Sequence, residues 1–419
     1  MRYSIDWQDG AENVAPEERA TVGDLRLWIG EQNVTMYLDG YRTDDHVTLA
    51  LYAMAHGLAH DWWTIFGGRD REVSLIRHRS GFALPDIRMR FDGADFEITA
   101  ANCLYRNPSV RFWTGPTEVA PRVDAEVFLE RFIEEILERL HDRDIEGTSA
   151  QLRWRRVQES RESDEAEFCE AVGALGLDPY SIDDVTASAI GEAEALFRGE
   201  ALTEFISGAE NVERHPLLEW VRTSDRRPAF EARIAELRAV SDQVTENAPA
   251  REHEPAWSLG YRRASAMRRA MNLASEYRFR SFREVAEPLG ASRSYRLAGR
   301  VDGIRALRSD HDNGVRIHLR SHGESPQAKT AHLFTFARAV GDVVCFPEPD
   351  RAPINDLHSA HRQAAGRAFA AEFLAPIDEV ESMLDDKRDI LSIADEFSVS
   401  TVVIERQIEN SDRIRQACG

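Results

Sequence analysis

With 419 residues, 42% hydrophobic and 30% charged, the chain has the balance of a globular protein and is too long for one ordinary domain. Its net charge of −21 opposes general affinity for nucleic acid, which needs a positive field. No apolar run approaches the roughly 20 residues a membrane-spanning helix needs, and Met1–Trp7 lacks the layout of a signal peptide, so a cytoplasmic protein without a membrane partner is expected.

The pattern predicts an α+β protein. A mixed α/β domain spans 1–122, a helical region 123–245, a linker 246–257 and a mostly helical domain 258–419. Leu25–Leu38 reads as two short strands about the polar turn Glu31-Gln32-Asn33. A helix is predicted over Asp44–Phe66, capped by Thr43 or Asp44 and stopped by Gly67-Gly68. Strand alternation returns at Ile87–Phe91, turns at Asp92-Gly93, resumes at Phe96–Ile98 and recurs at Val110–Trp113. Asp124–Leu140 is an amphipathic helix with Phe128, Phe132, Ile136 and Leu140 on one face. The chain from Asp164 to about Val240 is predicted helical, broken at Gly176, at Asp178-Pro179 and near Pro216. The polar stretch 246–255 carries two prolines and reads as the linker. Beyond it come a helix from Ser258 to about Glu276, a strand at Val315–Leu319, and helices near 328–341, 357–374, 377–386 and 389–409, the last with a turn at Ser398.

Cys103, Cys169, Cys345 and Cys418 form no CxxC pair, so neither a zinc ribbon nor a dithiol site is written here. No cofactor is called for.

Three C-terminal segments carry a family pattern, in order. Phe334-Thr335-Phe336-Ala337-Arg338-Ala339-Val340-Gly341-Asp342, followed by Val343–Phe346 and Pro347, resembles the first metal helix of the ImmA/IrrE-like zinc metallopeptidases. Gln363–Pro376 is similar to that family's second helix, and Ile390–Ser400 to its closing helical pair. The resemblance implies a zincin-like C-terminal domain. It also implies loss of the catalytic site. In such a helix two histidines at i and i+4 grip zinc and the glutamate between them activates water. Here those positions are Arg338, Asp342 and Ala339, and the third-ligand position is Gln363. Arginine has no lone pair to give a cation, and alanine cannot act as a base. Arg338 and Asp342, four residues apart, are expected to pair along the helix, with Arg338 a candidate ligand-sensing arginine.

Other constellations are weaker. His56 and His60 form HxxxH on a predicted helix, but Gly57 replaces the glutamate and no third ligand is placed. His358 and His361 offer an unconventional metal site, for which helical packing is the simpler reading. Seven arginines within 262–283, with Tyr261, Tyr277 and Phe279 interleaved, form a candidate anion or nucleic-acid face through Arg268 and Arg269. In so acidic a chain they are expected mainly to pair with its own carboxylates. The resemblance favours a non-catalytic regulatory protein with a protein partner, in a bacterial stress-response, toxin–antitoxin or phage-defence system. The alternatives are a hydrolase with a displaced metal site and a DNA-associated regulator.

Overall fold

The computed structural model describes the chain except residues 102–109, 225–232, 253, 292–296, 298, 312–313, 349 and 419. It is mixed α+β and divides into two units, Met1–Ile190 and Gly191–Gly419. The division falls at neither 122 nor 245. No helix among the described residues is long and apolar enough to cross a membrane.

Among the described residues the first unit holds three antiparallel sheets. In one, Val22–Ile29 pairs with Arg2–Trp7, with Gln32–Asn33 and with Val47–Ala50. Its residues alternate between half-buried and buried, which is the two-residue period of a strand with one face on the core. A small sheet joins Val110–Phe112, Tyr37–Asp39 and Arg42–Asp44. The third runs Thr117–Pro121, Asp95–Ala101, Asp86–Phe91 and Val73–Ser74, with Phe91 opposite Phe96 at the expected turn. The helix Tyr52–Gly67 carries Trp62, Trp63 and Phe66 into this core, and Arg122–His141 adds Leu129, Phe132, Ile133 and Ile136.

The expected helix over Asp44–Phe66 begins eight residues late. Val47–Ala50 is claimed as an edge strand by Val22–Leu25. The helix is capped from a distance, since Tyr52 N–H donates to Thr21 Oγ1 at 3.1 Å. Thr43 and Asp44 had offered the local cap chemistry, but a tertiary partner supplied it instead.

In the second unit an antiparallel sheet has the order Arg233–Ile234, Gly314–Leu319, Ala306–His311, Arg351–Ile354. Only the second of these strands was expected. Helices Leu237–Asn247, Ala256–Ala270, Pro326–Cys345 and His361–Leu374 build its core with Phe336, Val340, Phe369 and Phe373. At Gly260 a Cβ would lie 2.5 Å from the Ala365 carbonyl oxygen, so the close approach of 256–270 to 361–374 requires glycine. The stretch read as a linker is stitched to its neighbours. Arg262 binds both carboxylate oxygens of Glu254 and the Pro249 carbonyl, and Arg263 donates to the Ala248 carbonyl. Ile377–Asp385, Ile390–Phe397 and Thr401–Cys418 complete the unit, with Ser398 in the left-handed region (φ 54°) at the expected turn.

Candidate functional site

Pro326–Cys345 starts with Ser325 as N-cap and Pro326 in its first turn, and from Thr335 to Cys345 every residue is buried. A helix apolar on nearly all sides belongs inside, so Arg338 and Asp342 enter the interior with it. His361–Leu374 packs against it and presents Arg362 and Gln363. The structure therefore brings three of the four family-pattern positions into one buried region. Ala339, also fully buried, lies in the hydrophobic core.

Arg338 Nη2 donates to Gln363 Oε1 at 3.0 Å and to the Asn355 carbonyl oxygen. Gln363 Oε1 also accepts from Asn355 N–H at 3.0 Å, while Gln363 Nε2 donates to Glu204 Oε2 and the Pro353 carbonyl, each at 2.9 Å. Asp342 does not pair with Arg338. Its Oδ2 accepts from Arg308 Nη1 at 3.1 Å and its Oδ1 from Arg362 Nη2 at 2.6 Å. The expected i, i+4 pair fails because both side chains find partners on other elements, and Arg338 Nη1 instead faces Asp356 Oδ1 at 3.7 Å. Arg308 grips Asp310 with two nitrogens, at 3.0 and 2.8 Å.

Three buried arginines (308, 338 and 362) thus meet three buried acids (204, 310 and 342), and the set is neutral when Glu204 is ionised. Burial pulls the Arg338 guanidinium down to about 9, with Arg367 and Arg305 pushing the same way and Asp356 opposing. Burial also disfavours charge on Arg362, yet Asp342 and Glu204 hold its pKa above the ordinary value. Glu204 is raised to about 7 by burial, against the pull of Arg362. These directions follow the desolvation and charge rules for buried ion pairs.

Sequence reasoning missed Arg308, Arg362, Glu204 and Asp356. Glu204 left a signal, since one acid inside the apolar run Ala201–Ile206 marks a buried charge. Arg308 left none, because its strand had not been recognised.

The remaining candidates are placed apart from this network. Arg268 is buried and donates to the carbonyls of Phe373, Ala274, Ser275 and Tyr277, so its guanidinium ties the 274–277 turn to the end of the 361–374 helix and presents no surface for an anion. Arg269 is exposed. Arg262, Arg278 and Arg280 meet Glu254, Glu379 and Glu396. His60 and His78 both contact Asp61, at 3.2 and 3.1 Å, and His56 is half-buried and stacked on Tyr52. His358 is exposed, and His361 lies edge-on to Phe346. Among the described residues no group of three or more His, Cys, Asp or Glu is arranged to hold a metal ion. Cys169 and Cys345 are buried thiols, and Cys103 lies outside the described residues. Comparison with protein-family models, with curated proteins and with solved structures finds no match to this chain.

Proposed function

We propose that the chain is a non-catalytic binding or regulatory protein on a metallopeptidase-like scaffold, acting with a protein partner in a bacterial stress-response, toxin–antitoxin or phage-defence system. The observation that carries the non-catalytic part is the state of the donors at Arg338, Asp342 and Gln363. Both Asp342 carboxylate oxygens accept from arginines, and Gln363 Oε1 accepts from Arg338 and from Asn355. A cation at these positions would have to displace guanidinium groups that are already charge-matched and dry. The biological setting rests on the family resemblance alone.

Elemental analysis and a peptidase assay on the purified protein, with and without added zinc, test the reading. The expected result is far less than one zinc per chain and no zinc-dependent cleavage. About one zinc per chain, with cleavage lost in His358→Ala or His361→Ala, would overturn it and favour the displaced-site hydrolase.

A further inference from the structure

The sheet of the second unit ends in a cluster of positive charge. Ala306 pairs with Leu319 on one side and Ile354 on the other, so the next residues along the three strands, Arg305, Arg320 and Asn355, are neighbours at one sheet end. The backbone continues the register there, with Arg320 N–H donating to the Arg305 carbonyl at 3.0 Å and Arg305 N–H to the Ile354 carbonyl at 2.7 Å. Like charges set directly opposite across a strand pair are destabilising, so an arginine pair at this place needs an anion. One carboxylate answers it. Arg305 Nε donates to Asp356 Oδ2 at 2.7 Å, and Arg338 Nη1 stands 3.7 Å from Asp356 Oδ1.

Among the described residues, Arg305, Arg320 and Arg338 draw on the two carboxylates Asp356 and Asp302. Of these arginines, Arg320 reaches Asp302, at 3.7 Å, and the Val301 carbonyl, and it lies in the field of Asp356. Arg367 donates to the Leu357 and His358 carbonyls, which fastens a fourth guanidinium to the loop that carries Asp356. Mutual repulsion registers on the groups themselves. Arg305 and Arg320 add to burial in lowering the His322 imidazole to about 4, and Arg305 and Arg367 add to burial in lowering Arg338. Arg338 is more than nine-tenths buried, its Nε is buried without a hydrogen-bond partner, and its Nη1 stands 3.7 Å from Asp356 Oδ1. Asp356 is the most exposed member, with its side chain 56% accessible against 36% for Arg305. The carboxylate is therefore the part of the cluster that can be exchanged.

We propose that Arg305, Arg320 and Arg338, with the Asn355–His358 loop, form a binding site for a phosphate group, and that the Asp356 carboxylate fills it in the resting protein. A phosphate dianion carries more charge than a carboxylate and three acceptor oxygens, which suits several guanidiniums converging from different strands and helices. The site names the ligand chemistry for the binding scaffold proposed above and rests on that reading for its biological use. Its test does not. Zinc-dependent cleavage would sink the scaffold reading and leave the phosphate titration as it was.

The experiment is calorimetric titration of the full chain with inorganic phosphate, against sodium chloride of matched ionic strength. Saturable binding to the wild-type protein is expected. Arg305→Ala, which alters a half-exposed side chain, should weaken it about tenfold or more, as loss of a charge-assisted hydrogen bond does. Asp356→Asn should tighten it several-fold by removing the internal competitor, an outcome no merely structural role for Asp356 produces. Absence of saturable binding beyond the chloride control would overturn the proposal. So would Asp356→Asn binding no tighter than wild type, or Arg305→Ala binding as well as wild type.

Discussion

Glu204 has no solvent exposure, one carboxylate oxygen bonded to Gln363 and Oε1 without a hydrogen-bond partner. Burial raises its pKa to about 7, so between the unfolded value near 4.5 and about 7 the folded chain holds a proton that the unfolded chain has released. Stability from this group is therefore full below about pH 4.5 and falls as pH rises through 7, by up to about 3 kcal/mol. Glu372, also raised to about 7 by burial, slopes the same way, while His322, His332 and His56, all lowered chiefly by burial, slope oppositely at lower pH. The difference between wild type and Glu204→Gln isolates the one residue, whose charged neighbours include Arg362, Arg338, Asp342 and, on its own helix, Glu200. Urea unfolding should give similar stabilities at pH 5 and a more stable Glu204→Gln protein at pH 8; equal stabilities at both would refute the assignment. Asp342→Ala is the opposite kind of change. It strips the shared acceptor from Arg308 and Arg362 in a dry interior and should cost about 3–5 kcal/mol by the same measurement. At this scale the sequence singled out Arg338, Asp342 and Gln363 as candidates, and the structure buries all three and bonds Arg338 to Gln363. The sequence did not reveal their partners, because a hydrogen bond between residues 159 positions apart, as for Gln363 and Glu204, leaves no local periodicity.

Elements with strong local signals were legible, and those decided by tertiary partners were not. The helix 122–141 follows its apolar stripe, and the hairpin at 86–101 follows its alternation and its Asp92-Gly93 turn. Arg233–Ile234, Ala306–His311 and Arg351–Ile354 were missed because short strands exist only by pairing, and each contains or adjoins charged residues that mask alternation. The closing helices were anticipated as a core-facing pair. Ile393, Ala394, Phe397, Val403 and Ile404 are buried, Asp389 caps the first helix through Ser392 N–H, and Gln407 bonds Tyr261, Glu372 and the Ala375 carbonyl. Leu391 and Val402 remain exposed. Truncation after Lys387 should therefore strip apolar cover from the core and leave Glu372 and Tyr261 short of partners. A fall of many degrees in the thermal midpoint is expected, and an unchanged midpoint would show that the pair is an appendage.

For the whole molecule, charge decides what the chain can approach. A net charge of −21 repels a polyphosphate backbone at long range, and a local basic face could overcome that only if its arginines were free. In the 262–283 segment all but Arg269 have partners. Arg262, Arg278 and Arg280 face Glu254, Glu379 and Glu396, Arg263 and Arg268 are buried on carbonyls, and Arg283 lies over the Phe282 ring. Arg269 is exposed in the last turn of its helix, where one cation accounts for about one released counterion. The cluster around Asp356 is compact and joins residues from several elements, a shape for a single phosphate group more than for a duplex that needs contacts along its length. Binding to a random-sequence duplex at physiological salt should accordingly be weak, with a shallow dependence on salt, and nearly unchanged in Arg269→Ala. Fluorescence anisotropy across a salt series reads both quantities. A tight complex with a steep salt slope that collapses in Arg269→Ala would mean that the arginine segment opens to nucleic acid, and would favour the DNA-associated reading over the phosphate-binding scaffold.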